Sequence, residues 1–408
     1  MRTTGNKATY ILLAICTLSI ISGTSQAQSL KDKLLGQKTG RVITTAVPFL
    51  LIAPDARSGA MGDAGVASTP DAHSMHWNPA KIPFAEKKMS ISISYSPWLR
   101  NLVDDINLAY LSGYYKIDKL SAIGASLLYF SLGDINFTDN NGNSNGTYRP
   151  SEFAFDLAYS RKLSEKFSGA ISGRYINSNL TQGQSVGGQN SHAGQSVATD
   201  ISFYYKTPIK MKHSLKSDLA FGLNISNIGA KISYTETTKR DFLPANLRIG
   251  GSYTLELDKY NKLSFLLDVN KLLVPTPPIY DTVIDPATGD YKILAGKDPN
   301  VGIVSGIFQS FGDAPGGFEE ELREFTYGVG VEYWYDNQFA IRGGYFYENK
   351  YKGGRQFFTL GAGLKYNVFG LDLAYLIPTE QQHPLQNTLR FTLTFDFDAF
   401  QDQNKDVK

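Results

Sequence analysis

Cysteine is all but missing: the single copy, Cys16, lies in an apolar run near the amino terminus, so no disulfide framework and no thiol chemistry can rest on the remainder. An excess of one charge is missing too. Lys plus Arg number 40 against 38 Asp plus Glu, and no basic stripe runs along the chain, which excludes the usual footprint of a nucleic-acid partner. No apolar helical run is long enough to cross a bilayer. Histidines are few; His73 and His76 could share a helical turn, but no carboxylate or cysteine cluster accompanies them, so no metal site is expected and they read as packing residues. No serine sits in a Gly-x-Ser-x-Gly elbow, and no catalytic triad can be placed. The expected protein is not an enzyme and needs no cofactor.

The amino terminus carries Arg2 and Lys7, a mostly apolar run from Ala8 to Ile21, and the small-residue site Ser25-Gln26-Ala27. This pattern predicts a cleaved secretory signal over residues 1–27. Cys16 follows Ile15, where lipoprotein processing demands a small residue. Losing the two basic residues from 40 leaves 38, matching the 38 acids, so the mature chain is formally neutral.

What is present in quantity is alternation. From Asn387 to Phe397, Leu389, Phe391, Leu393, Phe395 and Phe397 share one face, and Arg390, Thr392, Thr394 and Asp396 the other. Thirteen upstream segments repeat the pattern. They lie near 89–95, 105–116, 120–132, 152–161, 167–179, 196–206, 216–228, 244–257 and 261–270, with four more beginning near 325, 338, 355 and 368. Each is about as long as a tilted strand that crosses a bilayer. Tight turns follow the even-numbered strands and longer excursions the odd ones, as in barrels with short periplasmic turns and long outer loops. A soluble sandwich would alternate but has no reason to sort its loops by parity. Aromatics at 12% suit interfacial girdles. The expected fold is all-β: a 14-stranded antiparallel transmembrane β-barrel over 89–397, integral to the outer membrane of a Gram-negative bacterium, with a polar tail over 398–408.

The face opposite the apolar one carries Asp156, Arg174, Arg248, Asp268, Glu332, Arg342, Asp372, Arg390 and Asp396, which predicts a polar lumen. Fourteen strands enclose more room than their own side chains fill, so water or a plug must occupy it. The plug candidate is the segment 28–88. Gly59, Gly62 and Gly65 in it permit tight turns beside a crowded wall, and Asn78 before Pro79 is held out of helix and can cap a turn.

The sequences Asp55-Ala56-Arg57, Gly59-Ala60-Met61-Gly62 and Trp77-Asn78-Pro79-Ala80, shortly before a serine-rich first strand, resemble the PorV family, in the PorV/PorQ branch of the FadL-like outer-membrane barrels. Asn78-Pro79-Ala80 is similar to the tripeptide of the FadL-type hatch. The resemblance implies a type IX secretion system component that binds the carboxy-terminal signal domains of secreted cargo. It would shuttle them from the giant translocon barrel (SprA-like) to a sortase-like attachment complex (PorU-like), with outer-membrane lipid around it. One departure is the ending: barrels of this kind usually finish on an aromatic residue, whereas Phe397 and Phe400 here precede Gln401–Lys408.

The longest connection, 271–324, is the expected partner-binding loop, with Ile303, Ile307, Phe308, Phe311 and Phe318 as its contact residues. Apolar groups in an exposed loop need a cover: another protein, the outer leaflet, or the loop's own fold over the barrel mouth. Two other functions compete with the adaptor. A FadL-like transporter of hydrophobic small molecules should hold an apolar pocket beside the plug, and a lipid deacylase needs a nucleophile and base that the sequence does not offer.

Overall fold

The computed structural model describes residues 40–397 apart from 101–102, 104, 139–141, 143, 184–189, 210–215, 236–239, 285–290 and 381–382. The expected signal segment, the polar tail and residues 28–39 of the expected plug lie outside the described residues.

Alternation becomes a wall with an inverted burial pattern. In the strand Ser151–Lys162, Glu152, Ala154, Asp156, Ala158 and Ser160 are buried while Phe155, Leu157 and Tyr159 are exposed. A soluble sandwich would hide the apolar face; here the small and polar face is covered and the apolar one looks outward, as lipid requires.

Fourteen such strands close into one antiparallel barrel. The first seven are Met89–Pro97, Asn107–Lys116, Ser121–Ser131, Ser151–Lys162, Phe167–Asn179, Gly194–Ile209 and Lys216–Gly229. The rest are Asn246–Glu256, Asn261–Leu272, Phe325–Tyr335, Phe339–Tyr347, Gln356–Tyr366, Phe369–Pro378 and Leu389–Asp396. The first pairs with the fourteenth from Ser90 opposite Asp396 to Tyr95 opposite Phe391, so no ladder edge faces lipid. One shift of register interrupts the wall between the sixth and seventh strands. There Asn227 takes a left-handed backbone (φ 61°) and donates its N–H to Asp200 Oδ1 at 2.8 Å.

The turns obey local chemistry. Asp336 and Asn337 both have positive φ, the two-residue arrangement whose twist matches the strands it joins. At two other turns an aspartate caps the backbone: Asp118 Oδ1 accepts from the Leu120 and Ser121 amides, and Asp258 Oδ1 from those of Tyr260 and Asn261.

Two excursions hold structure the sequence did not reveal. The third connection contains a hairpin, Ile135–Thr138 with Ser144–Tyr148, and the ninth contains another, Ile279–Ile284 with Tyr291–Ala295. These runs are too short for alternation to register. The ninth also carries helical turns over Ile303–Gln309 and Phe318–Leu322.

Candidate functional site: the plug and the outer lid

The chain enters the barrel from its long-loop end. Arg41 meets Glu320 of the ninth connection, whereas Phe84 lies against the Lys162 ammonium, 4.4 Å from the ring centre, at the tight-turn end. Between them the segment descends the lumen in short helical pieces, Pro48–Leu51, Ala56–Gly59, Ser74–Trp77 and Pro79–Phe84.

Asp55 begins the tight part. Its carboxylate caps the Ala56–Gly59 turn by accepting the Ser58 N–H at 2.7 Å and accepts the Trp77 indole N–H at 2.6 Å, tying two pieces together. The three predicted glycines answer to crowding. A Cβ on Gly59 would lie 2.2 Å from an Arg390 nitrogen, and one on Gly65 would lie 2.5 Å from the Trp77 ring. Gly62 has a positive φ of 67°, and its Cβ would stand 2.5 Å from the Tyr345 carbonyl oxygen. The wall answers with glycines of its own: Gly328, Gly330 and Gly344 lie directly against the Met61–Gly62 backbone. Plug and wall thus meet backbone to backbone. Gly62→Ala is expected to push this seam apart, since both the conformation and the space forbid a methyl group. Limited trypsin digestion of the detergent-solubilised variant should cut within 53–88 while the barrel core survives; wild-type resistance in the plug would contradict the packing.

Asn78 spends its side chain fully. Its Nδ2 donates to the carbonyls of Val66 and Phe203, both at 3.0 Å, and its Oδ1 accepts the Ala80 N–H at 3.0 Å to start the Pro79–Phe84 turns. The Trp77 carbonyl accepts from Asn224 at 3.1 Å, its ring faces the Arg248 guanidinium, and the Ala80 carbonyl accepts from Ser168. Trp77, Asn78, Pro79 and Ala80 are all buried, so they fasten the plug to the wall and offer no surface to a partner. His73 and His76 are buried beside them: His73 Nε2 lies 2.6 Å from Ser92 Oγ, and His76 packs edge-on against Trp77 and Tyr110.

Charge does the remaining fastening. Arg57 places Nε and Nη2 on the Glu332 carboxylate at 2.9 and 2.8 Å and Nη1 on Asp71 at 2.7 Å. Glu332 also accepts from Arg342 Nε at 2.8 Å, and Arg342 Nη1 reaches Asp372 at 2.6 Å. Arg390 pairs with Asp63 at 2.9 Å, while Asp268 accepts the Gly65 and Val66 amides at 2.7 and 2.8 Å. Of the inward charges expected from alternation, Arg248, Asp268, Glu332 and Arg390 bind the plug, whereas Asp156 pairs with Arg174 and Asp396 with Lys365 within the wall. The role of Arg57 in this network escaped sequence reasoning, although it stands in the Asp-Ala-Arg motif.

Over the outer mouth, the ninth connection forms a lid. Phe308 and Phe318 are 75% and 76% exposed and Phe311 is 49% exposed, whereas Ile303 and Ile307 are half-buried. The predicted contact residues therefore divide: three aromatics face out, and the two isoleucines turn partly inward. Gly306 fits against the Phe242 ring, where a Cβ would stand 2.9 Å away.

Beneath the exposed rings lies a buried ionic cluster. Lys271 Nζ reaches Glu324 at 2.5 Å and Glu321 at 3.2 Å; Lys352 Nζ reaches Glu320 and Glu324, both at 2.8 Å; Arg41 grips Glu320 with two nitrogens at 2.9 and 2.5 Å. Thr276 donates its hydroxyl to Glu324 at 2.6 Å and its amide to Asp313 at 3.1 Å. Burial alone would raise the Glu320 carboxyl, but the hydrogen bonds from Arg41 and Lys352 hold it down at about 2. At Asp313 burial wins and pushes the carboxyl up to about 6, with the charges of Glu321 and Glu324 adding to the rise.

The signs then differ. Below pH 6 the folded lid holds a proton on Asp313 that the opened loop, with an ordinary value of 3.8, still lacks, so this group stabilises the lid as pH falls from 7 towards 4. The Glu320 contribution is complete above its ordinary value of 4.5 and is lost only as pH falls towards 2, so it stays constant over the same upper range. Exchange of the Thr276 amide, corrected for its intrinsic rate, is expected to slow between pH 7.5 and 5.5. Asp313→Asn should flatten that response, and an acid-induced acceleration in the unmutated protein would refute it.

Comparison with solved structures finds transporters and channels. They include the toluene transporter TbuX of Ralstonia pickettii, 12% identical over 84% of this chain and 97% of that one with a TM-score of 0.46. The toluene transporter TodX of P. putida matches at 12% identity over 84% and 98% with a TM-score of 0.47, and a Pseudomonas aeruginosa FadL homologue at 12% over 88% and 100% with a TM-score of 0.40. A search of curated proteins finds no match. The family model of the type IX secretion system protein PorV matches residues 35–279, which take in the whole plug motif and the first nine barrel strands. The match spans more than half of the 408 residues, and the chain belongs to the PorV family.

Proposed function

We propose that this outer-membrane barrel is a non-enzymatic secretion adaptor. Its outer loops bind the carboxy-terminal signal domain of secreted proteins and carry them from the type IX translocon to the cell-surface attachment complex. The observation that carries the reading is the lid: exposed Phe308, Phe311 and Phe318 stand on a loop fixed from below by buried ion pairs. Aromatic side chains on a pre-ordered surface are good anchors for a protein partner, because little flexibility is lost on binding. Modest affinity suffices, since the barrel confines cargo to the membrane plane and raises its effective concentration near the next partner. The plug, fastened by Asn78 and Arg57, would keep the lumen from leaking while cargo is held outside.

The hydrophobic-transport reading draws support from one feature. Leu108, Leu128, Phe130, Ala154 and Ile176 give the outer lumen an apolar wall on one side, although Phe49 and Leu50 pack against it. Affinity purification from intact outer membranes with mass spectrometry of what stays bound separates the two readings. Several exported proteins sharing a terminal domain are expected; recovery of lipid or other small hydrophobic molecules alone would favour transport.

A further inference from the structure

One stretch of chain touches both the lid and the lumen, and nothing in the adaptor reading uses it. Gly40 lies against the backbone of Tyr351 in the loop that follows the eleventh strand. Arg41 grips Glu320 on the lid. Ala46 donates its amide to the Phe242 carbonyl at 3.0 Å. Phe49 is buried with its ring parallel to that of Phe130, 6.3 Å between centres, and Leu50 joins it among Leu108, Ile176 and Leu243. Eight Cα-to-Cα steps lead from the ionic end at Arg41 to the aromatic end at Phe49, a reach of roughly 27 Å if fully drawn out.

The joint between the two ends is strained. Val47 has φ 46° and ψ 52°, the left-handed region that a β-branched residue almost never adopts, and it is buried there. Such conformations persist only where the surroundings over-determine them. The surroundings here are the contacts just named. A strained joint held at both ends will relax when either end lets go.

We propose that residues 41–51 form a releasable strap that couples the lid to the outer lumen. Seated, it pins Phe318–Leu322 through Arg41 and Glu320 and wedges Phe49 and Leu50 against the lumen wall; released at one end, it loosens the other. A partner that draws the lid outward therefore unseats the wedge, and an occupant of the outer lumen that displaces Phe49 loosens the lid at Glu320, where Lys352 remains as its partner.

Hydrogen exchange on the full chain in detergent tests this reciprocity. The probes are amides bonded in the seated state: Ala46 in the strap and Ile52 directly after it, Glu320 and Glu321 in the lid. Arg41→Ala, at the rim and outside the strand ladder, is expected to speed exchange of Ala46 and Ile52 at least fivefold, with Arg41→Lys restoring most of the protection. Phe49→Ser should likewise speed Glu320 and Glu321. The barrel band on unheated gels reports folding in each case, and the two variants attack opposite ends, so either one that folds is enough to decide the matter. Acceleration confined to the mutated end overturns the coupling.

Discussion

Replacing Phe308, Phe311 and Phe318 together with serine is expected to lower recovery of secreted cargo from outer-membrane purifications at least tenfold, while the barrel inserts normally. Phe308 and Phe318 are exposed by about three quarters, so their removal leaves no cavity in the lid, and Phe311 is half exposed. The fixing of the lid lies elsewhere, in the ion pairs of Lys271, Glu320, Glu324 and Lys352, although the Lys271 ammonium also stands 5.7 Å from the centre of the Phe311 ring. An interface anchor of this kind contributes about 2 kcal/mol or more when it fills a pocket on the partner, so loss of even one true anchor exceeds a tenfold change in affinity. Ile303 and Ile307 serve as the contrast. They are half-buried, and changing them would disturb the lid itself, so a loss of cargo there would not distinguish contact from collapse. Unchanged cargo recovery from the triple variant, with the barrel band intact, would remove these residues from the binding surface.

The barrel was legible because lipid imposes a rule on every second residue. Strand five, expected at 167–179, is observed at Phe167–Asn179, and every strand of the barrel falls within a few residues of its expected place. The parity of turns and loops was equally plain, since a closed antiparallel sheet leaves one short and one long connection in each repeat. The plug glycines were legible as places of crowding, but not what crowds them. Gly62 lies against Tyr345 and Arg57 binds Glu332, partners 275 or more positions away, and no local spacing reports a contact of that range. The lid cluster was hidden for the same reason. Glu319-Glu320-Glu321 has no local signature, and only the fold brings Lys271, Lys352 and Arg41 to it. The half-burial of Ile303 and Ile307 follows from a helical turn within a loop, where apolar residues too few to set a period divide between the two sides.

Glu332→Gln should release the plug while sparing the barrel. Glu332 lies between two guanidiniums, Arg57 from the plug and Arg342 from the neighbouring strand, and all three side chains are at least nine-tenths buried. Glutamine keeps the shape but removes the charge, leaving Asp71 and Asp372 as the remaining carboxylates of the network. Breaking a buried pair by removing one partner costs about 3–5 kcal/mol, because the orphaned charge stays out of water. The wall can bear that loss, since its ladder closes through fourteen strands; the plug, joined by side chains and turns, is the part able to open locally. The expected result is a rise of two or more orders of magnitude in the open plug population, on the order of what 3 kcal/mol implies. It would be seen as sensitivity to vancomycin in cells and as faster exchange of the Gly65 and Val66 amides, with the folded barrel band retained. A companion variant separates charge from shape: Arg57→Met, Glu332→Leu and Arg342→Met, combined with Asp71→Asn and Asp372→Asn so that no carboxylate is orphaned, should restore much of the seal, because replacing a buried ionic group by neutral side chains is often tolerated. Full vancomycin resistance and unchanged exchange in Glu332→Gln would mean that backbone packing along the glycine seam holds the plug without the charges.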